Sequence, residues 1–512
     1  MILVLLPLSH FVFSSLCLAW HRGARALTQV SWGVDAALIG ALWWGVRHGK
    51  TISVGLGGWG RSLGIELSAD WVGLVFALLA LLVGGAVSVY LSRVTLRSYF
   101  YVLLHLLLGC VFSILFAQDL FNIYVTLELL TLVSFLLVGY ERTSIQIWVS
   151  LKYLMLTALG MGIYLLGLAV LYYHAGTVNL SELGVRLGTG AQQPWVIVSS
   201  SLLVTGVAVK AGIFVFSLWL PAAHAVAMPA VGALLSGLVI KMGVVVLMRL
   251  AAVFPVSVPL LVLGTMTGLL GIAYAVSTYD LRKLLAFHTL SQIGYLAVGL
   301  GIGTRVELTG AVEYAVGHGL FKALLFLAAG TVIASTGQND IRSILLWRSR
   351  IPVNARLALL VAVLANLGLP PFAGFFGKAV LLSGAESVLI ETILIAISIG
   401  TVVSFLKLLP LFWWGRGPST SRSQSVSFLL LSVPIVLFSP LMQWLLPEWC
   451  WSLSFRTFPA VESVLIVVFG CLVYRFLPWR RIRMPDWVFH LEEATVIIIS
   501  GFLLVCGLSL LP

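Results

Sequence analysis

Residues 210–249 read KAGIFVFSLWLPAAHAVAMPAVGALLSGLVIKMGVVVLMR, two apolar runs that each carry a single lysine. The first run is interrupted almost at once, by Gly212 and then by Pro221. The second, from Ala227 to Arg249, holds Lys241 with no other charge until its end. A second interrupted run, LANLGLPPFAGFFGK at 364–378, closes on Lys378. Breaks of this kind inside apolar helices expose backbone carbonyls and amides, which survive at membrane depth only inside protein or beside water. A lysine beside such a break has local solvent and can exchange a proton. Paired broken helices are also the sequence mark of a transport site built from two repeats.

Composition agrees with a membrane setting. Of 512 residues, 60% are hydrophobic and 9% charged, against about 45–50% and 25% in soluble domains. Mean hydropathy is +1.09. At about 20 residues per crossing, sixteen apolar segments can be marked along the chain. The expected class is an all-α polytopic membrane protein with about 14–16 transmembrane helices. Cys17, Cys110, Cys450, Cys471 and Cys506 are scattered, with no C-x-x-C pair. That argues against an iron–sulfur cluster, a c-type haem or a structural zinc. There is no G-x-x-x-x-G-K-[ST] loop to hold a nucleotide, and no metal or organic cofactor is expected. Arg22 and Arg25 follow the first apolar run rather than precede it, so Ile2–Trp20 reads as a retained span and not a cleaved signal.

The net charge of +12 resembles a nucleic-acid signal until the cations are placed. Loops after odd-numbered segments hold seventeen, from Arg22 and Arg25 through Arg342, Arg348 and Arg350 to Arg416 and Arg480, Arg481 and Arg483. Loops after even-numbered segments hold seven: Arg47, Lys50, Arg61, Arg186, Arg249, Arg305 and Arg456. The positive-inside rule makes the odd loops cytoplasmic and both termini extracytoplasmic, in a bacterial-type inner membrane. No nucleic-acid partner is implied. The other six cations are all lysines within apolar runs: Lys152, Lys210, Lys241, Lys322, Lys378 and Lys407. Arginine holds its charge under almost any conditions, whereas a buried lysine releases its proton readily. Intramembrane ionisable groups are functional by default. With Glu128 in the fifth segment, they point to a proton or cation path.

The two broken helices have similar approaches, YHAGTVNLSEL at 173–183 and AAGTVIASTGQNDI at 328–341. The expected organisation is two inverted five-helix repeats, 98–250 and 251–415, each with a broken helix. Flanking spans occupy 1–97 and 416–512.

At this point the residues resemble the proton-conducting membrane transporter family, the antiporter-like subunits of respiratory complex I, membrane-bound hydrogenases and Mrp cation/proton antiporters. The resemblance rests on residues 210–249, DLFNIYVTLELL (119–130), DLRKLLAFHTLSQIGYLAVGLG (280–301), GHGLFKALLFLAAG (317–330) and GLPPFAGFFGK (368–378). Within the family, GLGGWGRSLGIEL (55–67) looks most like the D-type subunit of Mrp antiporters. The resemblance implies a fourteen-helix core. It identifies Glu128 with the family's buried glutamate, Lys210 with its broken-helix lysine, Lys241 with the next lysine, His318 and Lys322 with its central polar pair, and Lys378 with its distal lysine. One departure is that Pro221 and His224 flank two alanines where the family often has Pro-Asp-Ala-His, which leaves His224 without an acidic partner.

The expected mechanism is stepwise proton transfer through Glu128/Lys210, Lys241, His318/Lys322 and Lys378 by way of internal water, with Lys152, His224 and His288 as auxiliary groups. His318 and Lys322 share a helix face by their spacing. His288, Gln292 and Tyr295 share another that could hold water. Glu313 is expected on a different face, at an interface. Lys407 is expected to snorkel, Asp119, Glu141 and Arg142 to be solvated, and Trp20, Trp219, Trp413, Trp414, Trp479 and Trp487 to form interfacial belts. The function expected is a proton-translocating subunit of a multi-subunit membrane complex, exchanging protons for Na⁺ or another cation. The rival is the same fold in a redox-driven complex I-like or hydrogenase assembly. A lipid-linked transferase is disfavoured by the short loops, and a stand-alone carrier by the family motifs. The charge asymmetry predicts that the Asp340–Asn354 loop is cytoplasmic. Single cysteines introduced there should resist impermeant reagents in intact cells and react in everted vesicles; labelling from outside would overturn the topology.

Overall fold

The structure is a computed structural model that describes all residues except 51, 61–63, 189–192, 218, 386, 413–416, 446–456, 477–483, 485–492 and 512. Cys450, the tryptophans 413, 414, 479 and 487, and Arg61, Arg416, Arg456, Arg480, Arg481 and Arg483 lie outside the described residues.

The chain is a helical bundle whose elements follow the apolar segments. The N-terminal part comprises α1 (Ile2–Ala19), α2 (Ala24–Arg47), a two-stranded antiparallel hairpin (Ser53–Leu56 and Ile65–Ser68) and α3 (Trp71–Tyr90). Next come α4 (Ser98–Phe116), α5 (Leu120–Val138), α6 (Ser144–Ala175), α7 (Leu180–Leu187), α8 (Pro194–Ala211), α9 (Trp219–Val226), α10 (Pro229–Leu234) and α11 (Ile240–Ala251). A second series holds α12 (Ser257–Ser277), α13 (Leu281–Ile302), α14 (Arg305–Thr336), α15 (Ile341–Leu346), α16 (Val353–Leu367), α17 (Ala373–Ser383), α18 (Val388–Phe405) and α19 (Leu409–Phe412). The C-terminal part is α20 (Arg422–Val436), α21 (Phe438–Leu445), α22 (Thr457–Phe476) and α23 (Ala494–Ser509).

Among the described residues, twelve helices are long and apolar enough to cross a membrane, or thirteen when the pair α20/α21, bent by 71°, counts as one. The more polar α2, the broken pair α16/α17 and the short α23 account for the other three segments seen in the sequence.

Both expected breaks are present. α8 ends at Gly212 and α16 at Gly368, each in the left-handed region, with φ of 71° and 79°, which glycine enters without a Cβ clash. The first break is satisfied internally: the Phe214 amide donates to Thr267 Oγ1 at 2.8 Å and Trp219 Nε1 donates to the Val209 carbonyl at 2.8 Å. Trp219 is therefore an interior residue, 2% exposed, and not part of an interfacial belt. Gly374 and Gly377 lie within α17 and allow close packing instead; a Cβ on Gly374 would fall 1.8 Å from the Ala365 carbonyl oxygen. A third irregularity has no proline and no left-handed glycine: α10 passes into α11 through a π turn at Leu235–Val239, with Gly237 at its centre.

One local clasp occurs twice. Asp119 caps α5 and Asn179 caps α7, and the two meet in an antiparallel bridge. Asp280 caps α13 and Asp340 caps α15, with the same bridge. Leu120 N donates to the Val178 carbonyl and Leu180 N to that of Gln118, at 3.0 and 2.9 Å; Leu281 N and Ile341 N donate to Asn339 and Tyr279, both at 2.9 Å. Asp119, expected at a solvated span end, is a buried cap receiving the Asn122 amide at 2.6 Å, whereas Glu141 and Arg142 are exposed.

The α12–α13 contact depends on small residues, as close helix pairs in membranes do. A Cβ on Gly294 would lie 2.2 Å from Gly268 N, and one on Gly271 would lie 2.5 Å from Ser291 N. Gly294→Ala should destabilise the protein by about 1–3 kcal/mol, the usual range for overpacking. Gly40→Ala, which meets nothing within 4 Å, should be neutral. Melting temperatures of the detergent-solubilised protein check the contrast.

Candidate functional site

The break after α8 holds Lys210 inside the bundle, 6% exposed, where its ammonium donates to Thr131 Oγ1 on α5. Glu128, one turn earlier on α5, is half-buried. It lies within electrostatic range of Lys210, but no ion pair joins the two directly. The expected pair is thus separated, with Thr131 holding the ammonium beside the carboxylate. The Tyr153 phenol, fully buried, also stands near Glu128 and Thr131.

Lys241 is wholly buried on α11. Its Nζ donates to the Ser236 carbonyl at 2.9 Å and meets His318 Nδ1 on α14. Ser236 lies in the π turn, so the wider backbone spacing presents its oxygen to the ammonium five residues on. His318 therefore accepts from Lys241, and its Nε2 is buried without a hydrogen-bond partner. Lys322, one turn along α14, donates to the Leu285 carbonyl at 3.1 Å. His318 stands within electrostatic reach of Lys241, Lys322, Lys378 and His288.

Lys378 on α17 turns back to the end of α16, donating to the Asn366 carbonyl at 2.9 Å, with its Nζ 5.7 Å from the ring centres of both Tyr295 and Tyr314. Both polar atoms of the Asn366 side chain are buried beside it without a partner. Tyr314 donates to Gln292 Oε1, while Gln292 Nε2 donates to Thr401 at 3.2 Å. His288 bonds Ser404 Oγ at 2.5 Å, and Ser404 donates to the Thr401 carbonyl at 2.8 Å, so His288 Nε2 carries the hydrogen. His288, Gln292 and Tyr314 thus form a polar wall around Lys322 and Lys378.

The remaining residues separate. His224 donates Nδ1–H to the Leu220 carbonyl at 2.9 Å and leaves Nε2 buried and unpartnered. Lys152 is half-buried, with its ammonium 5.2 Å from the Trp148 ring centre. Glu313, expected at an interface, is 2% exposed inside the bundle. Lys407 does not snorkel: it is 3% exposed and donates to the Ala275, Val276 and Thr278 carbonyls at 3.0, 2.5 and 2.7 Å. There it caps the C-terminus of α12, where a cation complements the helix dipole.

Sequence reasoning found the lysines but not their partners. The Ser236 carbonyl and Thr131 are invisible without the π turn and the helix register. Among the described residues no cluster could hold a metal.

A bundle of broken helices carrying buried, mutually interacting lysines defines a proton-conducting membrane protein class. The chain belongs to the NADH:quinone oxidoreductase/Mrp antiporter transmembrane family, whose model matches residues 117–404. It is 30% identical to the D-type subunit of the Na⁺/H⁺ antiporter of Alkalihalophilus pseudofirmus, over 76% of this chain and 81% of the relative. It is 27% identical to the D-type subunit of the Na⁺/H⁺ antiporter of Bacillus subtilis, over 78% and 83%. In fold it is similar to a chain of the Mrp complex from Dietzia, with a TM-score of 0.75, 22% identity and coverage of 92% and 99%. A chain of an archaeal membrane-bound sulfane sulfur reductase is also similar, with a TM-score of 0.79, 23% identity and coverage of 91% and 98%.

Lys407→Met should remove the cap from α12 and expose three unpaired carbonyls, a loss of about 1–3 kcal/mol. Lys407→Arg should recover part of it, because the guanidinium also donates. Thermal melts of the two variants, set beside the wild type, decide between a cap and a dispensable lysine.

Proposed function

We propose that this chain is the proton-carrying subunit of a multi-subunit Na⁺(cation)/H⁺ antiporter and works with other membrane subunits in a bacterial-type inner membrane. The observation that carries the reading is the row of buried ammonium groups, each held by an oxygen or nitrogen partner and each within electrostatic range of another cation or of Glu128. The Alkalihalophilus and Bacillus relatives are both named as antiporter subunits, which favours exchange over redox-driven pumping.

In this mechanism a proton enters at Glu128 and Lys210, passes to Lys241 and His318, and continues through Lys322 to Lys378. The Lys241–His318 contact transfers directly: the ammonium already donates to Nδ1, and the free Nε2 offers the second position of the ring. The gap between Lys210 and Glu128, like that between Lys322 and Lys378, is bridged by internal water. Charging one lysine disfavours charge on the next, which drives the proton onward. The duplicated clasps at Asp119/Asn179 and Asp280/Asp340 support two repeats, 98–250 and 251–415, flanked by 1–97 and 416–512. Arg249 at the end of α11 donates to carbonyls at the end of α4, which puts the starts of α5 and α13 on opposite sides of the bundle and supports an inverted relation between the repeats.

Arginine at Lys378 would preserve charge but not release it. Lys378→Arg and Glu128→Gln should each lower ΔpH- or Na⁺-driven exchange by about tenfold or more, in the range of general acid–base effects, with assembly intact. The measurement is exchange in everted vesicles carrying the whole complex, normalised to assembled protein. Near-normal exchange in the arginine variant would show Lys378 to be a fixed charge.

A further inference from the structure

Four polar residues lie together in the N-terminal helices, before the stretch matched by the family model and away from the lysine row. His10 on α1, Thr28 and Asp35 on α2 and His105 on α4 are each 0% exposed. His10, Asp35 and His105 all lie near the middle of their helices. They form a continuous chain. Asp35 Oδ1 is 3.1 Å from His10 Nε2, His10 Nδ1 is 3.0 Å from His105 Nδ1, and His105 Nε2 is 3.1 Å from Thr28 Oγ1. Thr28 Oγ1 in turn donates to the Ala24 carbonyl at 2.9 Å. Asp35 Oδ1, Asp35 Oδ2 and His10 Nε2 are all buried without a formed hydrogen bond, so the Asp35–His10 approach is a charge contact across which a proton has room to settle.

The contacts dictate where hydrogens can sit. Thr28 spends its only hydrogen on Ala24, so it accepts from His105 Nε2–H. Each imidazole nitrogen either donates or accepts, and the two Nδ1 atoms need one hydrogen between them. If His105 is neutral, His10 supplies it from Nδ1. His10 Nε2 then faces the carboxylate at 3.1 Å, and a bare lone pair there would repel it. One further proton must therefore lie between them. It can reside on Asp35, on His10 as imidazolium beside a carboxylate, or on His105 with His10 as the other tautomer. All three arrangements contain the same number of protons, carry no net charge and use the same heavy-atom positions. A neutral total also explains how the groups tolerate burial, since an unpaired charge would not.

The surroundings add no competing charge. His10 stacks on Phe112 at 5.2 Å and His105 on Phe13 at 5.6 Å. On α1 the other titratable group is Cys17, which meets the Ala24 carbonyl. On α2, Arg25 is tied to Tyr101 of α4 and the Val94 carbonyl, and Arg47, at the far end, lies over the Trp43 ring. Cys110 is buried on α4. Of the elements packed outside, α3 contributes Tyr90, bonded to Thr331; the hairpin contributes Glu66, bonded to Asn179; α11 contributes Lys241, which meets His318, and Arg249, beside Asp70; and α5 contributes Asp119, its own cap, and Glu128, beside Lys210.

We propose that Asp35, His10 and His105 form a second proton-carrying site, a relay in which one labile proton moves by tautomer exchange along the N-terminal helices. Asp35 and Thr28 are seven residues apart on α2, so the chain of contacts spans about 10 Å at 1.5 Å per residue, with Thr28 anchoring its His105 end. The relay runs from mid-membrane toward the turn between α1 and α2.

Two readouts test it in the purified and vesicle-borne complex. Infrared spectra of protein with ring-labelled histidine should show one imidazolium or protonated carboxyl band that Asp35→Asn removes. Everted-vesicle exchange should fall by about tenfold or more in Asp35→Asn and in His105→Gln, with assembly unchanged. His105→Gln should keep the spectroscopic signal, because the His10–Asp35 pair survives, and it also serves if Asp35→Asn fails to assemble. A wild type without the signal, or an assembled variant exchanging at the wild-type rate, overturns the relay. The infrared arm does not depend on antiport. Wild-type vesicles that fail to exchange would remove the antiport reading and leave the relay to be judged on the signal.

Discussion

An ammonium group inside a membrane bundle must be given hydrogen-bond acceptors, and much of this architecture follows from where those acceptors come from. A regular helix uses its own carbonyls, so an interior lysine needs a helix end, a break, a hydroxyl or a shared oxygen. Lys378 takes the Asn366 carbonyl at the end of α16, and Lys241 takes the Ser236 carbonyl from a π turn. Lys407 gathers three carbonyls at the end of α12. Lys210 uses Thr131, and Lys322 uses the Leu285 carbonyl, which also receives Thr289 Oγ1. The irregularities of the helices and the positions of the lysines are therefore parts of one constraint.

In the proposed pathway, that constraint divides the lysines by function. Where the acceptors belong to a helix terminus and number three, as at Lys407, the charged form is held in place. Where there is one carbonyl and a neighbouring base, as at Lys241 with His318, the proton has somewhere to go. Burial and distance from the break alone do not separate the two cases; the number and kind of acceptors do. Lys407 and Lys378 both follow apolar segments with broken or ending helices, and both lie near tyrosine rings, but only Lys378 stands within reach of another lysine of the row, Lys322.

The lysine row was legible in the sequence because a charge in an apolar run has no ordinary explanation, and the breaks were legible because Gly212, Pro221, Gly368 and Pro370 disrupt helices by known backbone rules. The π turn was not, since Leu235–Val239 contains nothing that forbids a regular helix. Lys407 was misread because its position near a segment end suits snorkelling equally well, and only the register of α12 shows the carbonyls above it. Trp219 and Asp119 failed likewise: a residue type common at membrane surfaces was placed by type, whereas the fold turned both inward. Gly374 and Gly377 belong to the interrupted run 364–378, yet they lie inside α17, where their missing Cβ atoms allow α17 to meet α16 and α14.

The histidines of the N-terminal helices were the least legible because each is unremarkable alone. His10, Asp35 and His105 come from three helices, and no spacing rule joins residues on different segments. A lone buried histidine is usually satisfied by one backbone carbonyl, as His224 is by Leu220. His10 and His105 are different because neither ring donates to the backbone, and each nitrogen faces another side chain. A histidine bonded to backbone has one tautomer fixed by an oxygen that cannot change. His10 faces only His105 and Asp35, both able to gain or lose a hydrogen, so its tautomer is not fixed and its proton is shared with them. That difference in partners, more than burial or residue type, is what separates a packed histidine from one able to pass a proton on.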